Sequence, residues 1–317
     1  MAIQWFPGHM HLTQKAIADR IKTIDVVIEL LDARLPGSSA NPLLTTLIRG
    51  KPTLKVLNKQ DLADPQRTTA WLEHYNAQRG TRAIGLDASM PTPAKALIKA
   101  CFELSPHRGG VIKPMRVLIC GIPNVGKSTL INTLSARRAA KTGDEAGITR
   151  SEQRICLADD FYLYDTPGML WPRIIVAQSG YNLAASGAIG RNAFDEQSVA
   201  LTLLDYLKKS YSALLMERFK IEDAASMTDE SLLEAIGRKR GALQSGQRVN
   251  AQKAAEIVIY DFRSGAMGRI TLETPDEFNV WLAAGQTLDA QRQVKKDTIE
   301  LDRKQRFKQI PRPLISY

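Results

Sequence analysis

The stretch Gly121-Ile-Pro-Asn-Val-Gly-Lys127-Ser128 has the G-x-x-x-x-G-K-S spacing of a phosphate-binding loop. Its glycines let backbone N–H groups turn inward around a β-phosphate. Lys127 can reach the β/γ oxygens, and Ser128 can hold Mg²⁺. The run before it, Met115-Arg-Val-Leu-Ile-Cys120, predicts a short buried strand; the run after it, Thr129-Leu-Ile-Asn-Thr-Leu134, predicts a helix. Strand–loop–helix is the context this spacing requires. It puts Asn124, Val125, Gly126, Lys127, Ser128 and Thr129 around the phosphates of a nucleotide.

Two further motifs flank the loop. Asp165-Thr-Pro-Gly168 ends the apolar run Phe161-Tyr-Leu-Tyr164. An Asp at the carboxyl end of a strand can hold Mg²⁺ through water, and the N–H of Gly168 can meet a γ-phosphate. Upstream, Asn58-Lys59-Gln-Asp61 follows the strand-like Thr53-Leu-Lys-Val-Leu57. The Asp61 carboxylate can accept two N–H bonds from guanine, a pair of donors that adenine lacks. Asn58 can bond the other edge of the base, and the Lys59 stem can lie over the ring.

The base motif precedes the phosphate loop, the reverse of the order in most guanine-nucleotide switches. Over about residues 1–270 the chain resembles the circularly permuted GTPases of the ribosome biogenesis GTPase A family, which assist large-subunit assembly. The resemblance rests on Phe6-Pro-Gly-His-Met10, Asp32-Ala-Arg34 with Pro36, Asn58-Lys59-Gln-Asp61, Asp87-Ala-Ser89, the phosphate loop, Gly147-Ile-Thr149 and Asp165-Thr-Pro-Gly-Met-Leu-Trp-Pro172. It implies GTP as substrate, Mg²⁺ as cofactor, and a precursor of the 50S ribosomal subunit and its rRNA as partners. It also adds Asp87, Ala88 and Ser89 to the GTP-binding set. Permutation leaves the sheet intact but moves the chain ends, so the segment after Gly168 leads directly into whatever follows.

Composition sets the remaining bounds. The 317 residues suffice for one sizeable domain and one smaller one. The net charge of +10 favours a polyanionic partner without identifying it. Cys101, Cys120 and Cys156 show no metal-like spacing; Cys120 and Cys156 sit in apolar runs. They read as buried small hydrophobes in a reducing compartment, which points to the cytoplasm. The start, Met1-Ala-Ile-Gln-Trp-Phe-Pro-Gly, does not read as a signal peptide, and no apolar stretch is long enough for a membrane span.

Strands are expected at Val26–Leu31, Thr53–Leu57, Thr81–Leu86 and Val117–Cys120, with a hairpin over Ser151–Ala158 and Asp160–Tyr164. Helices are expected at 11–22 with Leu12, Ala16 and Ile17 on one side, at Pro42–Ile48, at 66–79 with Trp71, Leu72 and Tyr75 inward, and at 93–104. This alternation predicts an α/β fold with a mostly parallel sheet and one antiparallel edge strand, with ligands beyond the carboxyl ends of the strands. With the resemblance, the fold class is a permuted Ras-like GTPase sheet and a smaller C-terminal helical domain. The expected division is 1–175 for the GTPase domain, 176–280 for a helical RNA- or ribosome-binding domain, and 281–317 for a basic, poorly packed tail with room for a short helix. Residues 105–114 read as a surface connector, and helices are expected at 196–218, 228–237 and 250–264. The chain is expected to be a monomer when free.

Phosphoryl transfer to water needs an oriented water and absorbed charge, not a covalent intermediate. Many GTPases place a glutamine just after D-x-x-G; here Met169 stands there, and a thioether orients water poorly. His9 is the candidate replacement: imidazole has the right size and polarity, and Gly8 lets its loop move. The plainer reading is a surface or packed histidine; the resemblance implies the catalytic role, with the ribosome placing the ring. Asn124 could ligate a potassium ion beside the β/γ bridge, as the resemblance implies, or could merely cap local backbone. Thr149 is the switch threonine expected to meet Mg²⁺ and the γ-phosphate. Catalysis is thus assigned to His9 and Lys127, and Mg²⁺ to Ser128, Thr149 and, through water, Asp165. The competing readings are a permuted GTPase of the small subunit or another RNA complex, and a nucleotide-gated RNA-binding module with little turnover.

Overall fold

The structure, a computed structural model, describes residues 3–48, 50–86, 93–135 and 153–308. Helix α1 (His9–Arg20) leads into strand β1 (Val26–Asp32), followed by the short α2 (Pro36–Ser39) and α3 (Pro42–Ile48). Strand β2 (Thr53–Asn58), α4 (Pro65–Asn76), β3 (Thr81–Gly85) and α5 (Pro93–Leu104) come next. Strand β4 (Met115–Gly121) delivers the phosphate loop to α6 (Lys127–Ser135), and β5 (Gln153–Ala158) turns back as β6 (Phe161–Asp165). The remainder is mainly helical, α7 (Ala177–Ser186), α8 (Glu196–Ser210), α9 (Ser212–Phe219), α10 (Asp229–Lys239), α11 (Ala251–Ser264) and α12 (Pro275–Lys308), with a short antiparallel pair of strands, Leu243–Gln244 and Arg248–Val249, between α10 and α11.

The six strands lie in the order β3-β2-β1-β4-β6-β5. Every pairing is parallel except β5 with β6, so the antiparallel strand sits at one edge. β1 is buried along its whole length, as a central strand covered on both faces must be. On one face Leu31 and Leu57 meet Trp71 and Tyr75 of α4. On the other, Ile28, Leu30, Leu54 and Val56 join a core that continues without a break into Leu204, Val258 and Phe262 of the C-terminal helices. The permuted order therefore builds the sheet expected of an unpermuted one, because strand order depends on pairing and not on where the chain is cut.

Four expectations need correction. Leu12 does not face inward: it is 72% exposed, and α1 instead buries Met10, Thr13 and Ile17. The inward stripe is displaced because Met10 is drawn to the segment after β6, where its Sδ accepts the Leu170 N–H at 3.5 Å. Cys156 is exposed, unlike Cys101 and Cys120. It lies on the edge strand β5, where alternation turns Ile155 inward and its neighbour outward. The tail expected past residue 280 is a continuous helix, α12, of 34 residues. The expected boundary between 280 and 281 thus falls inside a helix. α12 begins with a capping box: Thr274 Oγ1 accepts the Glu277 N–H at 3.2 Å, and Glu277 Oε2 accepts the Thr274 N–H at 2.7 Å. The expected helix over 196–218 is broken at Tyr211, whose φ of −139° lies outside the helical region.

Candidate functional site

The phosphate loop leaves β4 and winds into α6 through two left-handed residues, Asn124 (φ 56°) and Gly126 (φ 99°). Gly126 is required twice over. Its φ disfavours a side chain, and a Cβ there would sit 2.4 Å from Asn58 Nδ2. That close approach has a purpose, since Asn58 Nδ2 donates to Val125 O at 2.8 Å. Lys59, itself left-handed (φ 63°), donates from Nζ to Asn124 O at 2.8 Å. The two motifs, more than sixty positions apart in sequence, are thus bonded into one unit. Asn58 acts here as a brace on the phosphate loop, a role its sequence context had not indicated. Asp61 stands exposed in a single turn beyond Lys59, open to a base.

The switch segment after β6 closes the other side. Met169 N–H donates to Gly121 O at 3.1 Å, and a Cβ on Gly168 would meet the Pro123 backbone at 2.8 Å. The Met169 side chain is buried, and its carbonyl accepts Asn41 Nδ2 at 3.0 Å. Asp165 is fully buried, and neither carboxylate oxygen has a hydrogen-bond partner among the described residues. Burial pushes its pKa up to about 6, opposed by the nearby Lys127 charge and the Thr166 backbone. Burial also lowers the Lys127 pKa, with Asp165 pulling it back. Among the described residues, Lys127 Nζ makes only a long contact, 3.5 Å, to Gly121 O. A buried carboxylate without partners beside a buried ammonium is costly unless something charged completes the set. A hydrated divalent cation on the acid and phosphate oxygens on the lysine would do so, and the Ser128 hydroxyl stands on the first turn of α6 for the same cation.

His9 is the exposed first residue of α1, adjacent to Met10 and hence near Leu170 of the switch segment. Asp87, Ala88, Ser89 and Thr149 lie outside the described residues. Asn124 donates from its side-chain Nδ2 to Gly187 O, at 2.9 Å, just past the end of α7.

Sequence reading did not assign Asp32 and Arg34 a physical role. Asp32 takes a bidentate clasp from Arg34, at 2.9 and 2.8 Å, and the Lys59 ammonium at 3.0 Å. Burial alone would raise its pKa; Arg34 and then Lys59 outweigh that and hold it well below the ordinary carboxylate range. Arg34 also donates to the Phe262 and Arg263 carbonyls near the end of α11. Arg263 in turn donates to Ala184 O and Ala185 O at the end of α7, at 2.7 and 2.8 Å. With the Asn124–Gly187 bond these contacts form a closed circuit: Lys59, Asp32, Arg34, α11, α7, the phosphate loop, and Lys59 again. The signal available in sequence was an acid and an arginine two apart at the end of a buried strand.

A family model described as 50S ribosome-binding GTPase matches residues 116–239. The ribosome biogenesis GTPase A of Bacillus cereus is 41% identical over 285 residues, covering 88% of this chain and 96% of that protein. The ribosome biogenesis GTPase A of Thermotoga maritima is 30% identical over 275 residues, covering 87% and 95%. Among solved structures, GNP-bound YlqF from T. maritima superposes with a TM-score of 0.60 at 26% identity, covering 83% of this chain and 98% of that one.

Proposed function

The chain belongs to the ribosome biogenesis GTPase A family, and on that premise we propose that it is a GTP-hydrolysing factor that docks on the precursor of the 50S subunit and promotes its late maturation. The observation that carries the nucleotide half of this reading is the joining of the base motif to the phosphate loop through Asn58–Val125 and Lys59–Asn124. The partner half is supported by the relatives' names and by the net charge of +10.

Asp61 selects guanine by accepting from its ring N–H and exocyclic amine. The Lys59 stem covers the ring, and Asp87, Ala88 and Ser89 complete the base pocket. Backbone N–H groups of residues 124–129 cradle the phosphates, and Lys127 binds the β/γ oxygens. Ser128, Thr149 and, through water, Asp165 would hold Mg²⁺, which would neutralise the charge on those oxygens. The Gly168 N–H binds the γ-phosphate. His9 orients the attacking water; its oxygen bonds to the γ-phosphorus as the bond to the β/γ bridging oxygen breaks, giving GDP and phosphate. Asn124 Oδ1 would be the ligand for a potassium ion, which would supply positive charge to the phosphate oxygens. The GTP form docks, and hydrolysis releases the protein. Residues 1–175 carry the chemistry in this scheme, and the helices after 176 carry the docking.

The test mixes the protein with purified 50S, 30S and 70S particles and GTP or a non-hydrolysable analogue. Analogue-dependent binding to 50S and faster hydrolysis with 50S are expected. Preference for 30S, or binding indifferent to nucleotide, would overturn the reading.

A further inference from the structure

α12 is built in two unlike halves. Its first half is anchored on the body. Phe278 packs edge-on to Trp71 with ring centres 5.9 Å apart, and a Cβ on Gly285 would meet Ile175 O at 2.7 Å. Toward the end of this half Asp289 pairs with Arg173, the residue just past the switch segment Asp165–Pro172. From Ala290 to Glu300 every residue is exposed, Val294 and Ile299 included at 66% and 58%. The helix continues to Lys308. At 1.5 Å per residue, the outer half reaches roughly 27 Å from its root.

A helix exposed all along Ala290–Glu300 gains little from propensity alone, so its surface chemistry must carry its use. Successive helical residues are 100° apart. On that spacing Arg292, Lys295, Lys296, Arg303 and Arg306 fall within an arc of about 100°, about 21 Å long, while Asp297, Glu300 and Asp302 fall outside it. The apolar residues Val294, Ile299, Leu301 and Phe307 are spread around the helix and form no single face, which a bilayer-lying helix requires. A heptad through Val294 and Leu301 would put Asp297, Lys304 and Lys308 in its seam, which disfavours pairing with a second copy.

We propose that the outer half of α12 is an RNA-docking arm: its five-residue basic stripe lies along the phosphates flanking a groove of an RNA duplex. Duplex RNA is read mainly through shape and backbone contacts, which a straight stripe of arginines and lysines supplies without base readout. This inference deepens the reading of the protein as a factor acting on ribosomal RNA and rests on it. The Arg173–Asp289 contact roots the arm beside the nucleotide switch.

The test uses the full chain with Arg292, Lys295, Lys296, Arg303 and Arg306 all changed to Gln, which keeps helix propensity. A control changes Lys304 and Lys308 to Gln, on the other side of the helix. Each is titrated with a ~20-base-pair RNA duplex at several salt concentrations, with circular dichroism to check helix content. The stripe variant should bind at least tenfold more weakly at low salt, and its slope of log affinity against log salt should be shallower by about 3. The control should lose about twofold or less, and GTP turnover without partner should be unchanged in both. Equal losses in stripe and control, an unchanged salt slope, or stripe-dependent binding to phosphatidylglycerol vesicles but not to RNA would overturn the arm. The two readings fail separately. If 50S stimulates wild-type turnover yet the stripe variant binds RNA like wild type, the arm fails and the GTPase reading stands. If the stripe variant loses RNA binding but no ribosomal particle stimulates wild type, the GTPase reading fails and the arm stands.

Discussion

At the scale of single residues, the site divides into groups that hold the loop together and groups open to a ligand. Asp61 is of the second kind, exposed beyond a lysine already bonded to the phosphate loop. Asp61→Asn replaces one acceptor by a donor and should turn preference from GTP to xanthosine triphosphate by at least tenfold, about 1.4 kcal/mol. Fluorescence titration with both nucleotides checks this, and unchanged GTP preference would remove Asp61 from the base site. His9 is likewise exposed and sits on no packed face. His9→Ala should therefore cost little stability. It should lower 50S-stimulated turnover by about 10²-fold or more while GTP affinity stays within twofold. Equal stimulated rates would show that another group orients the water. The groups of the first kind were the less legible ones. The bond from Asn58 to Val125 O was not legible beside its expected contact with the base, because sequence spacing shows which side chains share a loop but not which backbone carbonyl each will meet.

At the scale of elements, strands were easier to read than helical faces. β1, β2 and β4 are nearly continuous apolar runs, and their pairing followed from the alternation with helices. The face of α1 was misread because it is weakly amphipathic and Met10 is claimed by a partner 160 positions away. The start of α12 was missed although Thr274-Pro-Asp-Glu277 carries its capping box; the basic residues after 290 made the region look like tail. The circuit through Asp32 and Arg34 shows the limit most clearly, since its partners Phe262 and Arg263 lie some 230 positions downstream. Arg34→Ala would leave Asp32 buried with Lys59 as its remaining cation. Breaking a buried pair in this way costs about 3–5 kcal/mol. Urea unfolding should show that loss. Because Lys59 would then be drawn from Asn124 toward Asp32, GDP affinity should also fall several-fold in a titration of the folded fraction. A stability loss below about 1 kcal/mol would mean that water replaces the guanidinium.

At the scale of the whole molecule, sheet and helices share one apolar core, and the segment before α12 returns to the sheet to seal it. Ile270 and Leu272 donate from their backbones to Leu62 O and Arg34 O, and Trp71 Nε1 donates to Glu273 O. The Glu273 carboxylate is fully buried where α2, α7 and this segment meet. It accepts the Ser38 N–H at 2.7 Å and Asn182 Nδ2 at 3.1 Å, and bonds the Ser38 hydroxyl. Burial pushes its pKa from 4.5 up to about 7, with the bonds from Ser38 and Asn182 opposing the rise. Between about pH 4.5 and 7 this shift makes the native state bind more protons at Glu273 than the unfolded chain does. Stability from this group is full below about pH 4.5 and is lost as pH rises toward 7, by up to roughly 3 kcal/mol. Glu273→Gln keeps the shape and removes the titration, so the fall in stability between pH 5 and pH 8 should be smaller in the variant than in wild type. Urea unfolding of both proteins at the two pH values measures it. Parallel pH dependences would mean that Glu273 is ionised throughout, held by Ser38 and Asn182, and that the junction of sheet and helices does not respond to protons.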